Sequence, residues 1–322
     1  MKRKWVNTFF VLCLFAALPL RAYAAELLIP GGQIIALELR DDTVTVAAFD
    51  DALGAAAREA GLQVGDEIVR IDDTTVHCVD DIRSALRQCD GDVDILLRRG
   101  SKEEMIRMSP CEIGEERKLG VYLRQGIAGI GTVTFYDPEE HRFGALGHGV
   151  NDAHGSILKM TEGNAYEAKI LSVRKGKSGT PGQLQGGAAG QVTAGHLLRN
   201  TPQGVFGTLE KQLRGEALPV AEYEEIHTGP AVIRSTVEGS AVREYSVEIL
   251  KIYPEDRGDS RNFLLQVTDP DLLNTTGGIV QGMSGSPIIQ DGKLVGAVTH
   301  VLVNSPDTGY GIFIKNMLEA AS

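Results

Sequence analysis

The stretch GGIVQGMSGSPIIQDGKLVGAVTH, residues 277–300, decides the fold of the second half of the chain. Two apolar runs, 288–289 and 294–298, flank the turn dipeptide Asp291-Gly292, and this pattern predicts a β-hairpin. A loop of glycine and serine, residues 282–287, comes directly before the hairpin. The sequence therefore predicts a β-rich unit of loop, strand, turn and strand.

Ser284 is the candidate nucleophile of this loop. A hydroxyl becomes a useful nucleophile only when a base takes its proton and N–H donors await the oxyanion. Gly282 lets the backbone turn so that its N–H and that of Ser284 converge, and Gly285 removes a side chain beside the attacked carbonyl. The alternative is an ordinary surface loop, which is the commoner fate of such a composition. We assign no role to Ser286.

The pattern Gly-x-Ser-Gly-x-Pro followed by a hairpin resembles the chymotrypsin-like double-barrel peptidases, including bacterial ones that also carry PDZ domains. The resemblance implies two β-barrels and catalytic residues in the chain order histidine, aspartate, serine.

Seven histidines compete for the role of base. His148 follows the apolar segment 143–147, after a predicted hairpin at 131–135, and so stands where the implied order places a base at the mouth of the first barrel. We expect His300, which follows the serine, to form a wall of the specificity pocket. The other five lie in polar or turn-like contexts: His77, His141, His154, His196 and His227.

The acid that orients the histidine is less well defined by chemistry alone. Asp269 stands fifteen residues before Ser284, at the end of the apolar segment 263–267 and ahead of Pro270. A carboxylate in this role is expected to be partly buried, which suits a strand end. Asp271 and Asp152 are rivals, although Asp152 lies close enough to His148 to serve only as a turn cap.

Residues 60–76, AGLQVGDEIVRIDDTTV, resemble the signature of PDZ domains. Gly61 ends a short helix over 57–60, and 68–71 form an apolar strand. A second helix follows, capped by Asp80 or Asp81, with one buried face formed by Ile82, Ala85 and Leu86.

PDZ domains bind an extended peptide beside a strand and hold its terminal carboxylate on backbone N–H groups of a glycine-rich loop. In this sequence Gly31, Gly32, Gln33 and Ile34 stand before the apolar strand 35–39, where that loop is expected. We therefore predict that these four residues bind the peptide. The alternative is a plain turn into the strand.

The N-terminus has the pattern of a secretory signal. Lys2, Arg3 and Lys4 precede a mostly apolar stretch over 5–20, and an Ala-x-Ala site follows at 22–24. The stretch is also nearly long enough for an uncleaved membrane anchor. In either case we expect the rest of the chain to be exported across the cytoplasmic membrane.

Composition excludes several classes of function. The net charge of -11 leaves no basic field for nucleic acid. No cysteine, histidine and aspartate cluster has the spacing of metal ligands, so we expect neither a metal nor another cofactor. Lys175-Gly176-Lys177-Ser178 is not a phosphate loop, because Leu171 stands where its first glycine belongs. We expect free, buried thiols at the three cysteines after the signal: Cys78, Cys89 and Cys111.

The short distance from Asp269 to Ser284 departs from chymotrypsin and indicates a narrower family. Residues 268–314, with LIPGGQ at 28–33 and ALGH at 145–148, closely resemble the stage IV sporulation protein B peptidases of endospore-forming bacteria. The resemblance implies a triad of His148, Asp269 and Ser284. It also implies secretion into the space between the two forespore membranes, self-processing, and cleavage of a membrane complex that releases a protease of transcription-factor processing.

We therefore expect a mainly β protein in three parts: a signal or anchor at 1–26, a PDZ domain at 27–111 and a chymotrypsin-like serine peptidase domain at 112–322. Its partners are expected to be protein substrates and a PDZ-bound peptide or C-terminus. Two other functions stay open. One is a PDZ scaffold with an inactive peptidase domain, and the other is a protease for misfolded envelope proteins.

Overall fold

The computed structural model describes residues 26–152, 155–254 and 261–322. The predicted signal or anchor segment lies outside the described residues except for Glu26, and His154 lies outside them as well. Most of the described chain is β-structure, which confirms the mainly β prediction.

In chain order the strands are β1 (Leu27–Pro30), β2 (Ile34–Phe49), β3 (Glu67–Ile71), β4 (Thr74–Thr75), β5 (Val93–Arg99), β6 (Lys102–Met108), β7 (Cys111–Ile113), β8 (Glu116–Lys118), β9 (Val121–Asp137), β10 (Arg142–Ala145), β11 (Glu162–Arg174), β12 (Gln183–Thr201), β13 (Gly204–Leu209), β14 (Leu218–Pro219), β15 (Gly229–Ser235), β16 (Arg243–Ile252), β17 (Phe263–Val267), β18 (Pro287–Gln290), β19 (Lys293–Leu302) and β20 (Ser305–Phe313). The α-helices are α1 (Ala55–Glu59), α2 (Val79–Gln88), α3 (Pro270–Thr276) and α4 (Ile314–Ala321), and Tyr223–Glu225 form a 3-10 turn.

The first barrel closes through six antiparallel pairings, in the order β9-β10-β13-β12-β11-β2 and back to β9. Its core contains fully buried Phe143, Ala145 and Val205. Strand β1 pairs with Phe135 and Tyr136 of β9, on the side opposite β10. The first barrel therefore combines β2, from near the N-terminus, with five strands from residues 121–209.

The second barrel closes in the order β15-β16-β17-β20-β19-β18, again with antiparallel neighbours. Phe263, Ile288 and Val298 are fully buried in its core. The predicted hairpin is β18 and β19, and both turn residues, Asp291 (φ +50°) and Gly292 (φ +74°), have the left-handed backbone that such a turn requires. The sequence therefore predicted this hairpin correctly.

The PDZ domain is inserted into the first barrel. Strands β2 and β9 leave the barrel together and remain paired in the PDZ domain, where Val44–Phe49 of β2 face 121–125 of β9. At the crossing, Gly126 (φ +76°) packs against β2 so closely that a Cβ would lie 1.9 Å from the Leu39 carbonyl oxygen. The PDZ domain is thus built between two neighbouring strands of the barrel.

This insertion corrects the serial arrangement that we expected. Residues 27–39, which the sequence assigned to a PDZ domain over 27–111, pair with peptidase strands β9, β11 and β14 instead. Conversely, Leu119 and the first part of β9 belong to the PDZ core. Strands β2 and β9 each belong to both domains. Nothing in the sequence marks the point at which either strand passes from one domain to the other.

Inside the PDZ domain the predicted helices and strand are confirmed, but the predicted aspartate N-cap of the second helix is wrong. Helix α1 ends before Gly61 (φ +95°), and α2 buries Ile82, Ala85 and Leu86 as predicted. The N-cap of α2 is Cys78, and the Asp81 carboxylate accepts the Cys78 N–H at 2.9 Å. The capping aspartate therefore lies inside the first turn rather than before it.

The three described cysteines are free and half-buried: Cys78, Cys89 and Cys111. None of the helices in the described part of the chain combines the length and the hydrophobicity of a membrane span. The described part of the chain also contains no cluster of three or more side chains that could hold a metal ion.

Candidate active site

The nucleophile loop, residues 282–287, lies where the two barrels meet. Gly282 (φ +101°) and Gly285 (φ +95°) both have a backbone conformation that favours glycine. A Cβ on Gly285 would lie 2.1 Å from the Thr132 carbonyl oxygen and 2.5 Å from the Leu146 amide nitrogen, both in the first barrel. Gly285 therefore allows the loop to contact the first barrel directly.

Two amide groups of the loop, those of Gly282 and Ser284, donate to no acceptor in the described part of the chain. They are the pair that the sequence predicted as oxyanion donors, and a site of this kind needs donors that are not already occupied. The other amides of the loop are bonded: Met283 N–H to Val280 O (3.1 Å), Gly285 N–H to Val298 O (2.7 Å) and Ser286 N–H to Met283 O (3.0 Å).

The Ser284 hydroxyl donates to the main-chain carbonyl oxygen of Thr299 at 2.7 Å. Its proton therefore does not point to a histidine in this conformation. The neighbouring Ser286 is fully buried and donates to Ser235 Oγ at 3.0 Å, so it is a packing residue. Of the two serines, Ser284 is the one with access to a cavity.

His148 follows a strained turn at the end of β10. Leu146 has φ +70°, and Gly147 N–H donates to Ala145 O at 2.9 Å, which closes a three-residue γ-turn. Such a turn is rare for a residue with a side chain, and strain of this kind clusters at functional sites. The turn places the His148 ring in the cleft between the barrels.

The His148 ring has the tautomer that a general base needs. Its Nδ1 lies 2.9 Å from the Gly149 carbonyl oxygen, which can only accept, so Nδ1 carries the proton and Nε2 has the lone pair. Burial lowers the pKa of His148, although the hydrogen bond to Gly149 opposes this. The imidazole is therefore neutral near pH 7 and able to accept a proton.

Ser284 and His148 line the same cavity of about 390 Å³. His300 also lines this cavity, and its ring centroid lies 5.1 Å from that of His148. None of the described lining residues is Asp, Glu, Lys or Arg. The walls are mostly aliphatic and come from both barrels: Leu37, Leu39, Ile127, Ile130, Leu146, Val150, Ile279, Val280 and Val301.

Asp269 does not contact His148 in this structure. Its carboxylate is the N-cap of α3, accepting Leu272 N–H at 3.0 Å, and it also accepts Ser246 N–H at 3.3 Å. It is not among the residues that line the cavity. Ser284 and His148 are thus brought together, whereas the predicted role of Asp269 is not tested by this arrangement and stays a prediction.

The rival residues have other surroundings. Asp152 Oδ1 accepts Ser156 N–H at 3.0 Å within its own loop, and Asp271 lies in the first turn of α3. His227 forms an exposed pair with Asp291 (Nε2 to Oδ2, 2.8 Å) on the far hairpin turn. None of these residues lines the cavity of Ser284 in the part of the chain that the structure describes.

Sequence reasoning missed two residues that hold the nucleophile loop and the residue just before it, Thr132 and Leu184. Thr132 Oγ1 donates to Gly282 O at 2.9 Å, and Thr132 N–H donates to Ser284 O at 3.0 Å. Leu184 N–H donates to Gln281 O at 2.8 Å. These residues lie about 100 to 150 positions before the loop, and no local pattern marks them.

The predicted peptide-binding loop of the PDZ domain is wrong. Gly31 N–H donates to Thr134 O at 2.9 Å, and Gly32 N–H donates to Val133 O at 2.8 Å, so neither can hold a carboxylate. Gln33 and Ile34 are likewise part of the barrel, since Gln33 O accepts Val133 N–H and Ile34 pairs with Thr132. The two glycines are present because β9 and the second barrel approach this segment closely.

The open edge of the PDZ domain lies on β9 instead. Residues 121–125 pair with β2 on one side, and in the described chain no strand pairs with their other side. Leu119 is buried just before this edge, and Gly120 has φ +71°. Val121 and Leu123 are half-buried against the same core as α2, whose N-terminus is tied to the strand by Gln125.

A double β-barrel with a serine loop and a neutral histidine in the cleft between the barrels defines the class of serine peptidases with a chymotrypsin-like fold. The comparison with protein families agrees. The model of the SpoIVB peptidase S55 family matches residues 115–318, and a PDZ domain model matches 52–99. The chain belongs to the SpoIVB peptidase S55 family, and it is a serine peptidase, a hydrolase, with a PDZ domain.

Solved structures similar to this chain include the Rv3671c protease of M. tuberculosis. Its inactive form is 16% identical with a TM-score of 0.36, covering 60% of this chain and 84% of that one. Its active form is 15% identical with a TM-score of 0.36, covering 61% and 73%. The HtrA-type protease AlgW with a decapeptide is 12% identical with a TM-score of 0.36, covering 65% and 57%. A comparison with curated protein sequences gave no significant match.

Proposed function

We propose that the protein is an endopeptidase in which Ser284 is the nucleophile and His148 the general base. The observation that carries this proposal is the shared cavity, where a neutral Nδ1–H imidazole faces the same space as the Ser284 hydroxyl. The unoccupied N–H groups of Gly282 and Ser284 support it, since they supply donors for an oxyanion.

The chemistry follows from these positions. The Ser284 hydroxyl rotates away from Thr299 O, gives its proton to His148 Nε2 and attacks the carbonyl carbon of the substrate. The oxyanion is held by the two N–H groups, and His148 then gives the proton to the leaving amine. Water completes the cycle by hydrolysing the acyl-enzyme, with His148 again as the base. We retain Asp269 as the proposed acid on the family resemblance.

The walls of the cavity favour an apolar side chain next to the cleaved bond. Leu37, Leu39 and Ile127 of the first barrel line the cavity of Ser284 together with Ile279 and Val280 of the second. Burying an unpaired charge there would cost several kcal/mol. We therefore expect peptides with leucine or phenylalanine at this position to be cleaved at least about tenfold faster than those with aspartate or lysine, which is a difference of about 1.4 kcal/mol.

Labelling with a fluorophosphonate tests the proposed nucleophile. The full exported chain should be labelled at Ser284, and both Ser284→Ala and His148→Ala should lose labelling. Ser286→Ala is the matched control, because it removes a buried hydroxyl from the same loop and should remain labelled. A folded wild-type protein that resists labelling would overturn the catalytic proposal and favour a scaffold with an inactive peptidase domain.

The PDZ domain is proposed to bind an extended peptide along residues 121–125 of β9. This edge is open, and α2 lies beside it as the second wall of the groove. A peptide strand would add there through main-chain hydrogen bonds, with side chains packing toward α2. Hydrogen exchange tests this location. A bound C-terminal peptide should protect the amides of 119–125, whereas protection at 31–34 would contradict it.

The biological setting is proposed from the family resemblance alone. It comprises export across the cytoplasmic membrane into the forespore intermembrane space, self-processing, and cleavage of a membrane-complex protein that activates transcription-factor processing. N-terminal sequencing of the purified protein tests the export and self-processing steps together. Broad degradation of casein would instead favour a quality-control protease.

A further inference from the structure

We propose that Thr132 of β9 is a positioning residue that fixes the oxyanion donor of Ser284. This inference rests on the proposed function, since it concerns the same nucleophile loop. Thr132 is fully buried between the barrels, and it contacts the loop through both its hydroxyl and its amide. It belongs to the first barrel, whereas the loop belongs to the second.

Thr132 holds the two peptide groups on either side of the one that carries the Ser284 N–H. Its hydroxyl donates to Gly282 O at 2.9 Å, which fixes the peptide group between residues 282 and 283. Its amide donates to Ser284 O at 3.0 Å, which fixes the peptide group between residues 284 and 285. The N–H of Ser284 belongs to the peptide group between these two. Its direction is therefore set by two neighbours that Thr132 holds.

Each of these two peptide groups is also held on its opposite side. Met283 N–H donates to Val280 O at 3.1 Å, and Gly285 N–H donates to Val298 O at 2.7 Å. Each of the two peptide groups is therefore hydrogen-bonded on one side to Thr132 of the first barrel and on the other side to a carbonyl oxygen of the second barrel. Oxyanion stabilisation depends on donors that are already oriented. Removing one of the hydrogen bonds from Thr132 is therefore expected to lower kcat more than substrate affinity.

Thr132→Val removes the hydroxyl donor and keeps the shape and the main-chain contacts. We expect kcat and the rate of fluorophosphonate labelling per folded molecule to fall about tenfold, with KM changed less than twofold. The reason is that the hydrogen bond to Gly282 O is lost, whereas the oxyanion donor, the Ser284 N–H, remains. A peptide aldehyde that mimics the tetrahedral state should bind about tenfold more weakly. Binding of the uncleaved peptide to Ser284→Ala should not change when Thr132→Val is added.

Two further variants separate positioning from packing. Thr132→Ser keeps the donor and should retain at least half of the wild-type kcat. Thr134→Val is the matched control on the same strand, since the Thr134 hydroxyl is equally buried and has no hydrogen-bond partner in the described chain. It should keep full activity. If Thr132→Val does not fold, Thr132→Ala provides the same loss of donor without the branched side chain.

The outcomes are distinct from those that test the proposed function. Wild-type protein that is not labelled at Ser284 refutes the nucleophile. Labelled wild-type protein with equal kcat in wild type and Thr132→Val refutes the positioning role of Thr132. A fall in Thr132→Ser as large as that in Thr132→Val also refutes it, because the hydroxyl would then not be the group that matters.

Discussion

Gly285 and Thr132 approach each other so closely that a Cβ on Gly285 would lie 2.1 Å from the Thr132 carbonyl oxygen. Gly285 also has φ +95°, which disfavours any side chain. Gly285→Ala is therefore expected to push the nucleophile loop away from the first barrel, to lower the free energy of unfolding by about 3 kcal/mol or more, and to abolish labelling of Ser284. Chemical denaturation and fluorophosphonate labelling measure the two effects.

Gly292→Ala is the matched control for this substitution. Gly292 also has a left-handed backbone (φ +74°), but a Cβ there would meet no atom within 4 Å. It should cost only about 1 kcal/mol from backbone strain and leave labelling unchanged. Equal effects of the two substitutions would show that the contact between the barrels is unimportant.

The pH dependence of kcat/KM reports on His148. Burial lowers the pKa of His148 below its ordinary value of 6.5, so the neutral base persists to lower pH. The acid limb of kcat/KM is therefore expected to have its midpoint below pH 6.5. Steady-state rates from about pH 4.5 to 8 provide the profile, and a midpoint above pH 7 would contradict a buried base.

The lowered pKa of His148 also makes the folded protein less stable in acid. The unfolded chain takes up the proton at higher pH than the folded protein does, so acid favours unfolding. The stabilising contribution of neutral His148 is complete above about pH 6.5 and is lost as the pH falls through the lowered pKa. His148→Gln should flatten this part of the stability profile.

Local features of the fold could be predicted from the sequence. The β18–β19 hairpin depends on Asp291-Gly292, and the buried face of α2 depends on the spacing of Ile82, Ala85 and Leu86. Both are determined within about ten neighbouring residues. The loop of Ser284 was recognised for the same reason, because its glycines and its following strand are adjacent in the chain.

The arrangement of the domains could not be predicted, because it depends on pairing between distant strands. The partners Leu39 and Ile127 flank the whole PDZ insertion, and nothing in either segment indicates the other. Gly31 and Gly32 were misassigned for a related reason. A glycine needed for close approach to a neighbouring strand cannot be distinguished in sequence from one that binds a carboxylate.

The insertion predicts which shortened proteins fold. Leu39 pairs with Ile127, so a chain in which residues 41–125 are replaced by a short Asn-Gly turn can still close the first barrel. We expect this variant to fold and to be labelled at Ser284. A fragment of residues 112–322 lacks β2 and leaves β9 and β11 without their common neighbour, so it should be unfolded or aggregated. Circular dichroism and size-exclusion chromatography separate the two results.

Asp269→Asn decides between two roles of one carboxylate. The amide oxygen of asparagine can still accept Leu272 N–H and keep the cap of α3, so only the longer 3.3 Å bond from Ser246 N–H is lost and the free energy of unfolding should fall by about 0.5 kcal/mol. If the carboxylate supports the imidazolium of His148 in the working enzyme, loss of its charge alone should lower kcat at least about 100-fold. We expect this loss, because the family resemblance implies the triad. Asp269→Ala serves as the control that removes both the cap and the charge, and it should also lose about 1 kcal/mol of stability. Unchanged kcat in Asp269→Asn would instead make Asp269 a helix cap, with Gly149 O as the group that orients His148.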